Sequence, residues 1–340
     1  MSEALKFHEV LFDPPTISTR TEKSIREAGK NGSTSYNIGI PGLDQYYVMA
    51  RANKINGIVA DTSQGKTTVL GAMARAMAKQ IDIENDEIGL FVTWEDTIED
   101  FGMSDIASYS KIPVASLYHG NVKENELKRM LQGAAQRAAA PLWVMGQSEQ
   151  TTKLQPQFTM TDVSVAMDYL INKQGKKIKF VILDYLQSIS RNDVRDEPDG
   201  RLQFSAVMNK VKEMTMSFHP CTWIGSQISR SKAEKVKWRQ PGIHWAMETA
   251  NFEHRCDGAI SLWLPWKSLD VWKPDECLQE KQGVDGKAIF VRPETMLIEV
   301  LKQKKAETGK VQAVDFMPEY STLIEYDTAI KYRQEVQNEI

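Results

Sequence analysis

Apolar residues in this chain collect into short runs set apart by longer amphipathic stretches. Strand-like runs fall at 55–59, 88–93, 142–145, 180–183, 222–225, 259–264, 296–301 and 311–316. Between several of them apolar side chains recur at the spacing of one helical face, which predicts helices over 67–80, 124–139, 162–173 and 201–217. Continuous apolar strands alternating with helices describe an α/β fold: a mostly parallel central sheet with helices on both faces. The last two runs are separated by a short polar link containing Glu307-Thr308-Gly309-Lys310. That link is too short for a helical crossover, so a late antiparallel hairpin at the sheet's edge is expected. Residues 1–35 carry no sustained pattern and are punctuated by Pro14-Pro15 and Asn31-Gly32-Ser33, with room for one amphipathic helix over 19–28. They read as a leader or as a linker docking on a neighbouring subunit. The compact domain is expected over 36–326, with 327–340 as a tail.

Composition narrows this modestly. The chain has 340 residues and a formal net charge of −3, so any nucleic-acid surface is local rather than global. Cys221, Cys256 and Cys277 are far apart, and the five histidines are scattered. This usage suits reduced thiols in a cytoplasmic protein, not a disulfide frame or a zinc site. No run of 18 apolar residues occurs and residues 1–13 lack a signal-peptide core, so neither a membrane span nor export is indicated.

The strongest chemical signal is Ala60-Asp61-Thr62-Ser63-Gln64-Gly65-Lys66-Thr67, which follows the strand at 55–59 and opens the helix at 67–80. This is the P-loop pattern with alanine at its first glycine. A tight turn at a strand's end aims the backbone N–H groups of Ser63, Gln64, Gly65 and the residues up to Thr68 at an anion, helped by the helix N-terminus. Lys66 then reaches the outer phosphates and the Thr67 hydroxyl takes a place on Mg²⁺. The pattern implies binding of a nucleoside triphosphate with Mg²⁺.

Further groups surround that core. Asp184 ends the apolar run Phe180-Val181-Ile182-Leu183. It is placed to hold Mg²⁺ through water, on a strand expected beside the P-loop strand. Glu95 ends the strand after the P-loop helix and suits a general base facing the γ-phosphate, with Asp96 as the fallback base or as the cap of the next helix. Gln227 ends another strand with an amide able to donate to a phosphate and accept elsewhere, which suits sensing the γ-phosphate. Two loops that follow strand ends are basic. One runs from 191 to 201 with Arg191, Arg195 and Arg201, and the other carries Arg230, Lys232, Lys235 and Lys237. Both suit contacts to the phosphates of a nucleic-acid strand, against the alternative of plain solvated charge.

Taken in order, the P-loop, Trp94-Glu95, Asp184-Tyr185-Leu186-Gln187, Ser226-Gln227-Ile228-Ser229-Arg230, the acidic segment 248–257 and Lys302-Gln303-Lys304 resemble the motifs of the DnaB-type replicative helicases. The resemblance spans roughly Tyr36 to Tyr326. It implies a RecA-like P-loop NTPase core working as a hexameric ring around single-stranded DNA in replication, moving 5′ to 3′, with a primase or loader as further partners. It implies Lys66, Thr67 and Asp184 at the nucleotide and metal, Glu95 as base and Gln227 as γ-phosphate sensor. Lys302 and Lys304 would reach the neighbouring subunit's ATP. Lys304 stands where the family places an arginine, and lysine lacks the planar fork; Arg292 is a second candidate for that role. The family's N-terminal helical domain is not seen, which fits a shortened phage or mobile-element form acting in the host cytoplasm. Two other readings stay open: a RecA-like ATPase for recombination or annealing without unwinding, and a ring in which nucleotide governs assembly alone.

Overall fold

The computed structural model describes residues 13–31, 35–149, 157–229, 234–237, 240–246, 249–268, 277–283, 286 and 288–338. The helices are α1 (Pro14–Asn31), α2 (Lys66–Ala78), α3 (Ile98–Ser110), α4 (Val114–Tyr118), α5 (Glu124–Ala139), α6 (Met160–Asn172), α7 (Gly200–Phe218), α8 (Thr249–Arg255) and α9 (Ala329–Asn338). The strands are β1 (Lys54–Ala60), β2 (Glu87–Thr97), β3 (Leu142–Gln147), β4 (Lys177–Asp184), β5 (Cys221–Gln227), β6 (Gly258–Trp263), β7 (Cys277–Gln282), β8 (Ala288–Phe290), β9 (Thr295–Gln303), β10 (Val311–Met317) and β11 (Thr322–Glu325). β7 and β8 pair apart, and the rest form one nine-stranded sheet in the order β11-β10-β9-β6-β1-β5-β4-β2-β3.

The stretch from β6 to β3 is parallel and the stretch from β6 to β11 is antiparallel. Alternate residues of the apolar strands feed two cores, one on each face, as a doubly covered sheet requires. Ile58 and Phe91 join α2 through Val69, Leu70 and Met73 on one face. Val59 and Val92 join α6 and α7 through Val163, Met167, Val207 and Val211 on the other. All eight strand-like runs and four helical runs of the sequence reading appear within a few residues of their expected bounds.

Several expectations are corrected. The strand carrying Asp184 does not lie beside β1, because β5 is inserted between them. Strand order is set by crossover handedness and helix packing, which a run of apolar residues does not encode. The late hairpin β9–β10 is not the sheet's edge either, since the short β11 pairs outside it. The tail contains α9, anchored by buried Ala329 and Val336 and by Arg333, which meets Glu294 and Glu319 at 2.6 and 3.0 Å. The N-terminal helix is longer than 19–28: it begins at Pro14, with the Asp13 carboxylate accepting from the Thr16 N–H at 2.9 Å as a cap. α3 was not expected, because its buried face carries Asp105 and Ser110 as well as Phe101 and Ala107. Its cap is Thr97 in a capping box with Asp100, not Asp96.

Asp105 is the pivot of a buried charge cluster. It takes Arg75 of α2 at 2.6 Å and Arg137 of α5 at 2.9 Å, and is itself fully buried. Arg75 also donates to the Ser321 carbonyl before β11. One carboxylate thus ties the P-loop helix, the helix behind β2 and the sheet's far edge. Breaking a buried pair leaves an uncompensated charge and costs about 3–5 kcal/mol. Asp105→Ala should therefore lower unfolding free energy in urea by an amount of that order, and a loss below about 1 kcal/mol would contradict the pivotal role.

Candidate active site

The P-loop turn leaves β1 at Ala60. Ser63 and Gly65 both take positive φ, 60° and 78°. Gly65 is required twice over, because a Cβ there would also lie 2.6 Å from the Phe316 ring. The Gln64 side chain is buried and turned away from the cleft, its Oε1 accepting the Leu264 N–H at 2.7 Å, so only its backbone is left to face a ligand. Lys267 donates to the Ser63 carbonyl and so tethers the loop to the end of β6. Lys66 opens α2, is buried, and holds its ammonium 4.0 Å from the Tyr185 ring centre. Burial pulls the Lys66 pKa down to about 8, although Asp184, Glu95 and Asp61 oppose the shift.

Parallel register brings the other groups to the same edge. Thr93 pairs with Asp184, Leu183 with Ile224, and Ala60 with Gln227. Asp184, Glu95 and Gln227 therefore leave neighbouring strand ends, and Glu95, Asp96 and Gln227 line the P-loop cleft of about 530 Å³ together with Lys66, Thr67 and Thr68. A cleft of this size accommodates a nucleotide. Glu95 is exposed to the cleft. Asp96 is half-buried, and burial, then Asp100 and Glu95, raise its carboxyl above the usual range. Asp184 is fully buried. Burial pushes its pKa up to about 7, while Thr67 and Lys66 pull the other way. The Thr67 hydroxyl is beside it, yet among the described residues neither carboxylate oxygen completes a hydrogen bond of ordinary geometry. An orphaned buried carboxylate beside the P-loop threonine fits Mg²⁺, which is held by one or two such groups plus substrate phosphates.

Lys302 and Lys304 lie elsewhere. β9 runs antiparallel to β6, so its end sits at the level where β1 begins. Lys304 meets Asp257 at 2.7 Å, and the other Asp257 oxygen accepts from Ile55 N–H at 3.1 Å. Lys302 donates to the Glu253 carbonyl. From Ile55 to the end of β1 is about 17 Å at ~3.3 Å per residue, so neither lysine is near its own P-loop. Arg292 pairs with Asp327.

The basic loops divide. Arg191, Arg195 and Gln203 line a second cleft of about 590 Å³ that shares Glu95 with the first and also includes Trp94 and Gln187. The Arg191 guanidinium stacks 4.7 Å from the Phe204 ring centre, and Arg195 and Arg201 are exposed. In the other loop Lys235 is exposed and Lys237 closes a short 3-10 turn, while Arg230 and Lys232 lie outside the described residues. Three contributors had no role in the sequence reading. Trp266 and Phe316 form apolar walls of the P-loop cleft, and Arg75 lines it. They arrive from the turn after β6, from β10 and from the buried face of α2, and no local spacing announces that convergence.

The fold and this site define a RecA-like P-loop NTPase. Residues 37–325 match the family described as DnaB-like helicase C terminal domain. The chain belongs to that family. Solved structures agree on the fold. One whose title describes an "ATPase Domain" superposes with a TM-score of 0.69 at 16% identity, over 96% of this chain and 100% of that one. A structure titled "The Structure Of A DnaB-Like Replicative Helicase And Its Interactions With Primase" gives 0.70 at 15% identity, over 93% of this chain and 67% of that one. Comparison with curated proteins finds no match by sequence. Among the described residues no helix is long and apolar enough to cross a membrane.

The buried acid carries a pH signature. An Asp184 carboxyl at about 7 when folded, against 3.8 ordinarily, keeps its proton in the native state where the unfolded chain has lost it. Stability then falls as pH rises from about 4 to about 7. Asp184→Asn should raise the melting temperature of the nucleotide-free protein, and by more at pH 8 than at pH 4. An equal gain at both pH values would refute the assignment.

Proposed function

We propose that this chain is an ATP-driven helicase subunit, with 36–326 as its motor domain, which moves along single-stranded DNA as part of a hexameric ring. The observation that carries the reading is the convergence of Glu95, Asp184 and Gln227, from three different strands, on one P-loop cleft. A scaffold governed by nucleotide needs Lys66 and Thr67 but has no use for a base. In this reading the N–H groups from Ser63 to Thr68 hold the outer phosphates, and Lys66 neutralises their charge. Thr67 and Asp184 hold Mg²⁺, which supplies charge neutralisation at the phosphates when bound. Glu95 orients the attacking water and accepts its proton. Gln227 donates to the γ-phosphate. Trp266 and Phe316 offer apolar faces to the base.

The DNA phosphates meet Arg191, Arg195 and Arg201 on one loop and Arg230, Lys232, Lys235 and Lys237 on the other, and both loops follow ends of strands that feed the cleft. The 5′-to-3′ direction, the ring of six, and a primase or loader as partner rest on the family, as does action in the cytoplasm. The test is strand separation of forks bearing only a 5′ tail or only a 3′ tail. Unwinding is expected from the 5′-tailed fork and not from Glu95→Gln, which should still bind ATP with turnover lowered by at least ~10²-fold. ATPase stimulation by single strands without separation would instead favour the recombination or annealing reading, and near-normal turnover in Glu95→Gln would move the base to Asp96.

The position of Lys302 and Lys304 at the opposite end of β1 from the P-loop supports action on a neighbouring subunit's ATP. In that role Lys304 must leave Asp257, with which it pairs in the single subunit. An arginine finger is worth about 10³–10⁵ in rate, and a lysine should supply part of that. Lys304→Ala should lower turnover strongly with nucleotide affinity nearly intact. Mixed with Lys66→Ala, it should regain partial activity, because some interfaces then join an intact P-loop to an intact lysine. No recovery in co-assembled mixtures would make Lys304 a staple within its own subunit.

A further inference from the structure

Where the ladder between β4 and β5 stops, a side chain continues it. The last paired residues are Leu183 and Ile224, yet β5 runs on to Gln227, held on its other side by Ala60 of β1. The Gln227 N–H on the β4 side accordingly needs an acceptor other than a strand. Gln187, in the 3-10 turn after β4, supplies it: its Oε1 accepts that N–H at 3.0 Å. Its Nε2 donates to Ser226 Oγ at 3.1 Å, and Ser226 Oγ donates to the Gln227 carbonyl at 3.2 Å. One amide thus grips both ends of the Gln227 backbone, using its donor and its acceptor together, which neither a carboxylate nor an alkyl group reproduces.

The amide's location gives this grip a use. Gln187 lines the cleft that contains Arg191 and Arg195, while Gln227 lines the cleft that contains the P-loop. The turn is seated by buried Leu186 and Ile189. Ser190 bridges to Thr159 at the start of α6, and the chain then emerges at Arg191. The first basic side chain of the loop therefore follows closely in sequence on the amide that fixes Gln227. The hydrogen-bonded ring Gln187–Ser226–Gln227 thus joins a residue lining one cleft to a residue lining the other.

We propose that Gln187 is a positioning residue that transmits occupancy of the Arg191–Arg195 cleft by a phosphodiester strand to Gln227 at the nucleotide. The proposal rests on the reading of both clefts above. It assigns Gln187 no contact with the reacting phosphate. Strand binding changes turnover through it only insofar as the Gln187 amide sits differently with the cleft filled and empty.

The experiment uses the full chain and measures ATP turnover with and without oligo-dT. Oligo-dT affinity is read by fluorescence anisotropy and nucleotide affinity with a fluorescent ATP analogue. Gln187→Leu should bind both with near wild-type affinity, and the ratio of its oligo-dT-stimulated to its basal turnover should fall by about five-fold or more, the lower bound of ordinary coupling between sites. Gln187→Glu keeps an acceptor for the Gln227 N–H and loses the donor to Ser226, so its stimulation should fall between the two. Full stimulation in Gln187→Leu overturns the proposal, and so does a parallel loss of both affinities and the basal rate, which marks a merely structural residue. If Gln187→Leu does not fold, Gln187→Glu decides, and undiminished stimulation there overturns the proposal. A wild-type protein whose turnover ignores oligo-dT instead refutes the underlying reading of the clefts.

Discussion

Parallel alignment of β1, β5, β4 and β2 is the constraint on which the rest of this protein depends. Parallel strands end at one edge of a sheet, and each here carries at or near its end a group placed at the P-loop cleft: the P-loop after Ala60, Gln227, Asp184 and Glu95. Antiparallel strands in the same order would scatter these groups between two edges. The helices α2, α6 and α7 make the arrangement possible, since they bury both faces of strands too apolar to meet water. The crossovers, not the strands, decide which ends lie next to which.

The site built at that edge is electrostatically uncomfortable when nothing is bound. Lys66 and Asp184 are both buried, one drawn down to about 8 and the other up to about 7, and neither shift relieves the other fully. Groups in that condition favour a ligand that brings opposite charge to each. Triphosphate answers the lysine and a divalent cation answers the carboxylate. A buried cluster, Asp105 with Arg75 and Arg137, adjoins this site through Arg75, which also lines the cleft, and ties the P-loop helix to α3 and α5.

The opposite edge of the sheet carries a different task. β9 returns against β6, so Lys302 and Lys304 arrive beside the beginning of β1, where the Glu253 carbonyl and Asp257 hold them. The phosphate cradle at one edge and the pair of cations at the other are the layout on which the proposed contact with a neighbouring subunit's ATP rests. The nucleotide cleft and the arginine-lined cleft both lie at the first edge, and among the described residues their linings share Glu95, with the hydrogen-bonded pair Gln187 and Gln227 running from one to the other.

Much of this was legible from residues alone, for reasons of period and locality. The P-loop is one contiguous turn, and apolar runs broken by helical spacing describe parallel strands, so the strand at 55–59, the helix at 67–80 and the acid at 184 follow from local pattern. α3 was hidden because Asp105 and Ser110 occupy its inward face, and a polar core position erases the helical stripe. β11 and α9 were hidden because short or exposed elements carry little apolar signal. The neighbour of β1, the pairing of Lys304 with Asp257 and the grip of Gln187 on Gln227 were beyond any reading of the chain. Each joins residues about forty or more positions apart, and such contacts exist only once tertiary packing has chosen the strand order.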